Sequence, residues 1–392
     1  MDKKRILFVI PTLTNGGAER AMSNITTHLP VNVEADLLVN SISEEDYPTD
    51  ANILSLGMKP VINKSIGYQV VVAIRRIRML RQLKKRGNYD ACISLMDSAN
   101  ICNILTGNRY CKVIVSVRVY LSNTRNQVYK HIVIPLVKLL YNRADNVVAV
   151  SKGIGDDLIH HYGIKRNKVS VITNGYDVPK IREECISKRL KEETAVFTYI
   201  AMGRYNYQKG QWHLIRAFRR VIDVVGGNVQ LIILGQGEMK EYLQTIIRGN
   251  NLESNVTLMP YSTKPFEFLS QCDAFVMPSL FEGYSNALCE ALICGLPCVA
   301  CDFKTSAREI LAPETDYKYQ MMEGVEKVKY GYLVPVCSGK LYEGNEPLEA
   351  AELCLAEAMI RCYEERERVI ESISDYTSYD IKEKVYQYVN LV

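Results

Sequence analysis

DAFVMPSLFEGYSNALCEAL, residues 273–292, passes through several kinds of chain in a short space. Ala274 to Met277 is an apolar run that reads as a buried strand. Glu282 follows in a loop beside Gly283. Ser285 and Asn286 are turn and helix-capping types, and Ala287-Leu288 begins a good helix former that carries a second acid, Glu290. The layout is strand, loop with an acid, helix N-terminus, second acid. Two acids so placed could grip a polar ligand whose negative charge rests at the helix start. Alternatively, they are solvated surface.

Working outward, short apolar runs alternate with amphipathic stretches twice over. The first half predicts strands at 6–11, 35–39, 91–95, 113–117, 146–150 and 169–172, with helices near 18–29, 69–86, 128–143 and 153–161. The second half restarts with VFTYIAMG and continues through VQLIILG, VTLM, DAFVMP, PCVAC and GYLVPV, with helices near 210–225, 238–248, 265–271 and 286–294. A helical pattern over 348–373 and a last helix over 376–392 close the chain. Alternation of this kind predicts α/β architecture: two doubly wound, Rossmann-like domains with parallel sheets. We expect an N-terminal domain over 1–178, with 376–392 packing back on it, and a C-terminal domain over 190–375. The charged, strand-poor stretch 179–194 divides them.

The length, 392 residues, suits two such domains. Twelve cysteines sit mostly inside apolar patterns, as in ACISL and LPCVAC, and do not form a disulfide framework; without a secretory signal they suit a reducing cytoplasm. Cys298 and Cys301 make one C-x-x-C, but no second pair or nearby His completes a metal set, so both read as small buried hydrophobes. KKRILFVIP is too short for a signal peptide and is not followed by a small-residue cleavage site. No stretch approaches the roughly 18–20 apolar residues of a spanning helix.

Charge is uneven. Residues 1–175 hold 24 Lys and Arg against 13 Asp and Glu, and the rest 24 against 31. Between Lys59 and Arg143 sixteen bases face only two acids, Asp90 and Asp97. Such a half suggests an anionic partner. Residues 68–90 place Val70, Ile74, Ile77 and Leu80 at helical spacing among arginines and lysines. That helix either buries the stripe and solvates the charges, or rests its charges on anionic lipid, and both can hold. Nucleic acid is not expected, since no binding module or aromatic platform accompanies the charge.

Three glycine loops recur at strand ends. TNGGAER (Thr14–Arg20) lets backbone approach a ligand at a helix start through Gly16 and Gly17; it is not G-x-G-x-x-G, which disfavours a nicotinamide-dependent oxidoreductase. GRYNYQKG (Gly203–Gly210) brings Arg204 and Lys209 to where both can reach one diphosphate. LGQGE (Leu234–Glu238) is a further turn, with Gly237 at its tip. Each alone is an ordinary βα turn.

Taken in order, GGAE, GR…KG, GQGE and FEGYSNALCEA resemble the motifs of glycosyltransferase family 4, as do AVSKGI (Ala149–Ile154), VITNGYD (Val171–Asp177) and GYLVPV (Gly331–Val336). The resemblance spans nearly the whole chain. It implies a GT-B fold, two Rossmann-like domains facing across a cleft, and a retaining, cytoplasmic enzyme of bacterial surface polysaccharide assembly. A nucleotide-diphosphate sugar, expected to be a UDP-sugar, would donate a hexose or N-acetylhexosamine to a lipid-linked or glycan acceptor.

By position, the resemblance implies that Glu282 meets the donor sugar and opposes the positive charge of an oxocarbenium-like centre, while Glu290 holds the ribose hydroxyls. Arg204 and Lys209 would bind the diphosphate, assisted by backbone along Gly283, Tyr284, Ser285, Asn286, Ala287 and Leu288. Gly16 and Gly17 would approach the same phosphates, and Gly237 and Met259 would lie near the nucleotide. No D-x-D triplet is present to hold a divalent ion, so no metal or other cofactor is expected and fixed cations stabilise the leaving group. Many relatives carry a His after an N-terminal-domain strand; here 93–101 has none. Asp97 and Asn100 occupy that neighbourhood, and Arg118 could bind an acceptor phosphate. The charge asymmetry then suggests a peripheral protein on an anionic membrane, at its inner face. The runner-up is a non-catalytic GT-B scaffold that binds nucleotide sugar.

Overall fold

Each run of alternating strands and helices becomes one seven-stranded sheet in the computed structural model. It describes residues 3–14, 16–59, 65–123, 129–188, 196–344, 346–365 and 379–392. Two compact units result: Met1–Asp177 with Tyr379–Val392, and Val178–Ser378.

In chain order the first unit contains β1 (Lys4–Val9), α1 (Gly17–Thr27), β2 (Val33–Val39), β3 (Asn52–Ser55), α2 (Ile66–Arg86), β4 (Ala91–Leu95), α3 (Asp97–Leu105), β5 (Lys112–Val117), α4 (Ile134–Leu140), β6 (Asn146–Ala149), α5 (Lys152–His160) and β7 (Val169–Val171). The strand order is β3-β2-β1-β4-β5-β6-β7, all parallel. Central strands are covered on both faces, which is why they read as continuous apolar runs. Phe8, Ile10, Met22 and Ile25 pack on one face with Val385 and Tyr388 of the C-terminal helix Ile381–Asn390. Leu7, Val9, Leu80 and Cys102 pack on the other, beneath α2 and α3.

The second unit opens with α6 (Val178–Lys188) and continues through β8 (Phe197–Met202), α7 (Gln211–Val225), β9 (Val229–Leu234), α8 (Lys240–Gly249), β10 (Val256–Met259), α9 (Pro265–Leu269), β11 (Ala274–Met277), α10 (Asn286–Ile293), β12 (Cys298–Cys301), α11 (Ala307–Leu311), β13 (Glu326–Val328), β14 (Gly331–Val334) and α12 (Ala350–Glu364). Its order is β10-β9-β8-β11-β12-β14-β13, with only β13 antiparallel.

Several expectations change. Helices α3, α6 and α11 and strands β3 and β13 carry weak local signals and lie outside the predicted elements. The stretch expected to divide the domains holds α6, packed on α9 and α10. The helix expected over 128–143 is, in its described part, a π-helical turn (Tyr129–Val133), α4 and a 3₁₀ turn (Tyr141–Arg143). The helix expected to reach residue 373 is described to Glu364; residues 366–373, and 376–378 of the last helix, lie outside the described residues. Two cysteines are joined, Cys185 of α6 to Cys294 at the end of α10, with Cα atoms 5.8 Å apart across 109 residues of sequence. No local spacing could have revealed that pair.

Helix α2 is also rotated from the expected position. Its buried edge is Val72, Arg76, Leu80 and Lys84, two of them cations, while Val70 and Ile74 face solvent.

Candidate active site

Both sheets reverse their winding direction once, between β1 and β4 in the first unit and between β8 and β11 in the second. Ligands of doubly wound sheets bind outside the carboxyl ends of strands at that switch point. In the second unit these positions are the loops that carry Arg204 and Lys209 after β8, and Glu282 after β11.

Lys209 and Glu282 are joined there. Lys209 Nζ lies 2.6 Å from Glu282 Oε1, which also accepts from Ser279 Oγ at 2.8 Å. Gln208 Nε2 donates to Glu282 Oε2 at 3.0 Å and to the Phe281 carbonyl at 2.9 Å, and the Gln208 carbonyl accepts from Leu280 N–H at 2.9 Å. From below, Thr305 Oγ1 donates to the Glu282 carbonyl at 2.6 Å. A carboxylate held by an ammonium and two neutral donors is fixed in place rather than left to sample rotamers. The side chains are 19% and 9% exposed, so the pair is largely buried, with Lys209 the more open of the two.

Backbone geometry makes the pairing possible. A 3₁₀ turn, Tyr207–Lys209, is capped by the Asn206 side chain, which accepts from Lys209 N–H. Gly210 follows at φ 60°, and any Cβ there would stand 2.4 Å from the Pro278 carbonyl oxygen. Only glycine permits this left-handed residue at such close approach. Tyr205, fully buried, ties in two more strand ends: its hydroxyl donates between the carbonyls of Ile233 (2.8 Å) and Met259 (2.6 Å). Gly237, at φ 154°, brings the β9–α8 turn against Tyr205 backbone, where a Cβ would lie 2.4 Å from the Tyr205 carbonyl oxygen.

Helix α10 begins directly after the Glu282 loop. Ser285 is its cap, accepting from Leu288 N–H at 3.3 Å and donating to Met277 Sδ at 2.9 Å. Tyr284, Ser285, Leu288 and Glu290 are buried, whereas Gly283, Asn286 and Ala287 remain partly exposed. Arg204 is exposed beside the pair's loop. Nothing in the sequence singles out Gln208, Ser279, Thr305 or Tyr205. Gln208 stands next to Lys209 and Ser279 three residues before Glu282, but their types alone are common in loops.

In the first unit, Gly16 caps α1 and Gly17 is its first residue. Asp97 opens α3, accepting from Tyr141 Oη at 2.7 Å and from Tyr129 Oη. Burial pushes its carboxyl above the usual aspartate range, opposed by those two hydroxyls. The preceding residue, Met96, is exposed and holds φ 74° and ψ 141°, a conformation that costs a non-glycine residue about 1–3 kcal/mol. Asn100 is fully buried: it donates to the Ser116 carbonyl at 2.8 Å and accepts from Ser94 Oγ at 2.8 Å. Its Nδ2 also donates to Tyr141 Oη at 3.3 Å, the hydroxyl that donates to Asp97, so Asn100 reaches Asp97 only through that tyrosine and does not reach the surface. Arg118 donates to Asn174 Oδ1, and to Tyr388 Oη at 3.2 Å.

Among the described residues one His/Cys/Glu group, His213, Cys337 and Glu349, brings possible metal-ligand atoms within 4.8 Å of one another. Gly339 N–H donates to His213 Nε2 at 3.2 Å, so Nδ1 carries the proton and donates to Glu352 at 2.8 Å. With both ring nitrogens engaged, and the Cys337 thiol pushed up by its hydrogen bond with Cys301 and by burial, this cluster is a tie between α7 and α12. Among the described residues no helix is long and apolar enough to cross a membrane.

Two doubly wound units, with acid and cation loops at the switch point of the second, define the GT-B class of glycosyltransferases. The chain belongs to glycosyltransferase family 4: the Glycosyltransferase Family 4 model matches residues 15–180, and the model for group 1 glycosyl transferases matches residues 196–329. It is 31% identical over 341 residues to a glycosyltransferase of Methanocaldococcus jannaschii, covering 81% of each chain. Over 340 residues it is 27% identical to the N-acetylgalactosamine-N,N'-diacetylbacillosaminyl-diphospho-undecaprenol 4-alpha-N-acetylgalactosaminyltransferase of Campylobacter jejuni, covering 81% of this chain and 88% of that one. Among solved structures, Anabaena HepE in complex with UDP and glucose superposes with a TM-score of 0.73 over 98% of both chains at 17% identity, a likeness of fold.

Proposed function

We propose that this glycosyltransferase retains configuration, moving a hexose or N-acetylhexosamine from a UDP-sugar to a lipid-linked or glycan acceptor during surface polysaccharide assembly, at the cytoplasmic face of the membrane. The observation that carries the reading is the Lys209–Glu282 pair, locked by Ser279 and Gln208 at the head of α10. A diphosphate laid along the N-terminus of α10 meets Lys209 and Arg204 on one side and the helix dipole on the other. These fixed positive charges stabilise the leaving group without a metal ion.

In the reaction, the bond between the anomeric carbon and the β-phosphate oxygen breaks as the acceptor oxygen bonds to the same face. The acceptor's proton passes to the departing phosphate. Glu282, a carboxylate beside the sugar, opposes the positive charge that develops on the ring. Glu290 takes the ribose hydroxyls, with Gly237 and Met259 near the base. Asp97 and Arg118 serve the acceptor; Asn100 supports Asp97 through Tyr141. The Campylobacter relative, whose name specifies a diphospho-undecaprenol acceptor, supports a lipid-linked substrate.

Calorimetric titration with UDP, GDP, ADP and their sugars in EDTA tests the donor site. Tight binding of UDP and one UDP-sugar, abolished in R204A and K209A, is expected. Binding indifferent to both substitutions refutes the placement of the diphosphate. Proton NMR of the first product formed then distinguishes retention from inversion. Binding without turnover on any acceptor would favour the non-catalytic scaffold.

A further inference from the structure

Arg118 directly follows β5 and carries a half-buried positive charge that meets no acid. Its Nη1 donates to Asn174 Oδ1 and its Nη2 to Tyr388 Oη at 3.2 Å, both uncharged acceptors. Among the described residues no carboxylate pairs with it. Its Nε–H is buried without a partner among the described residues, as is Thr173 Oγ1 in the segment that leads to Asn174. A guanidinium held by neutral acceptors keeps its charge and its remaining N–H groups for an oxyanion. A buried donor left unmade is costly, and a ligand oxygen there would complete the set.

Both partners of Arg118 hang from one junction. Tyr176 N–H donates to the Tyr379 carbonyl at 2.9 Å, and the Tyr176 carbonyl accepts from Ile381 N–H, the first residue of the C-terminal helix, at 3.0 Å. Asn174 stands two residues before Tyr176. Tyr388 stands seven residues after Ile381, about 700° around the helix, so it shares an inward edge with Ile381 and Val385. All three are buried. The far end of the helix is pinned as well: Lys4 Nζ donates to the Val389 carbonyl and Lys112 Nζ to the Val392 carbonyl, each at 3.0 Å. A phenol on a helix fixed at both ends gives Arg118 one setting.

From Tyr388 a polar chain runs on to Asp97. The Tyr388 hydroxyl lies 3.4 Å from Ser116 Oγ, and the Ser116 carbonyl accepts from Asn100 Nδ2 at 2.8 Å. Asn100 Nδ2 also donates to Tyr141 Oη at 3.3 Å, which donates to Asp97 Oδ1 at 2.7 Å. Every link of the chain is buried, whereas Arg118 and Asp97 at its two ends are partly exposed. We propose that Tyr388 is a positioning residue of the acceptor site: from the C-terminal helix it holds the Arg118 guanidinium so that the remaining N–H groups take the phosphate of a phosphorylated acceptor. The inference rests on the reading that Arg118 serves the acceptor, and deepens it by naming the group recognised and the element that presents the arginine.

The test is calorimetric titration of the full chain with geranyl diphosphate and with inorganic pyrophosphate, UDP being present at saturation to occupy the donor site. Binding of geranyl diphosphate is expected, weakened about thirtyfold in R118Q and about tenfold in Y388F. Y388F added to R118Q should cost nothing more, because its effect runs through the guanidinium. Equal binding of pyrophosphate assigns the recognition to the diphosphate alone, and weaker binding adds the prenyl chain; both outcomes support the proposal when they carry the same dependence on Tyr388. In spectra of protein labelled with nitrogen-15 arginine, the Arg118 Nε–H resonance, assigned by its loss in R118Q, should shift on adding either diphosphate. In Y388F it should be broadened before any ligand is added. Failure of the wild type to bind either probe, or R118Q binding like wild type, refutes the acceptor reading of Arg118 and the inference with it. Weak binding by R118Q beside wild-type binding by Y388F overturns the inference alone. So does a further loss when Y388F joins R118Q, which would make the tyrosine a packing residue only.

Discussion

Removing Lys209 is a direct test of how the candidate site is held together. K209M takes away the ammonium 2.6 Å from a carboxylate whose side chain is only 9% exposed. Breaking a buried pair on one side costs about 3–5 kcal/mol, because a charge is left behind. Here the carboxylate keeps Ser279 and Gln208 as donors, which puts the expected cost at the lower end, about 3 kcal/mol. E282Q preserves an acceptor for Lys209 and Ser279 but sets its own amide against that of Gln208, and Lys209 is open enough to re-solvate; about 2 kcal/mol is expected. In the double variant no charge is stranded. Its cost should therefore be about 3 kcal/mol, a coupling of about 2 kcal/mol against the sum. Urea unfolding followed by tryptophan fluorescence reads this cleanly. The chain's one tryptophan, Trp212, is fully buried in α7 and reports on the second unit. Costs that add to within about 0.5 kcal/mol would refute the claim that the two side chains act as one device.

Asp97 predicts a pH dependence in the first unit. Burial raises its folded-state pKa above the ordinary aspartate value, so the native state holds this proton more firmly than the unfolded chain. Stability therefore falls as pH rises through that interval. D97N should unfold at a higher temperature than wild type at pH 7, with the gap closing as pH drops below the ordinary aspartate range. Y205F removes the hydroxyl between the Ile233 and Met259 carbonyls and should cost about 1–2 kcal/mol of stability. Because three strand-end loops converge on that residue, UDP affinity should fall as well, seen by titration. Thiol titration in denaturant without reductant should count ten cysteines, rising to twelve after reduction of the Cys185–Cys294 bond. Twelve before reduction would show the pair open in solution.

Legibility of the fold in the sequence followed burial. Strand β4, five residues buried on both faces, has the limits its apolar run predicts. Strand β3, NILS, is short and half exposed, and nothing in its composition separates it from a loop. Helix α3 buries Asn100 and Asn103 through hydrogen bonds to neighbouring strands, so its inward face reads as polar. Helix α2 shows the same effect more strongly. Its apolar periodicity indicates a helix and puts Ile77 and Leu80 against the core, but it turns Val70 and Ile74 inward where they face solvent, because Arg76 and Lys84 find acceptors far away in sequence. At the candidate site, the spaced acids, the cations and the glycine turns were legible. The neutral side chains that fix them were not, since Gln208, Ser279 and Thr305 become distinctive only when two distant loops meet.

The C-terminal helix has a bearing on how the molecule is made. It packs on the first sheet: Ile381 N–H donates to the Tyr176 carbonyl, and Tyr388 supplies a partner for Arg118. The ribosome must therefore finish the whole second unit before it delivers the last piece of the first. At about 5–20 residues per second, the roughly 200 residues between β7 and that helix take on the order of 10–40 s. During that interval the nascent first sheet carries an uncovered apolar face where Tyr388 and Val385 will later lie. A chaperone that recognises such surfaces has a defined window in which to hold it, and Arg118 reaches its final setting only after the helix that carries Tyr388 has emerged.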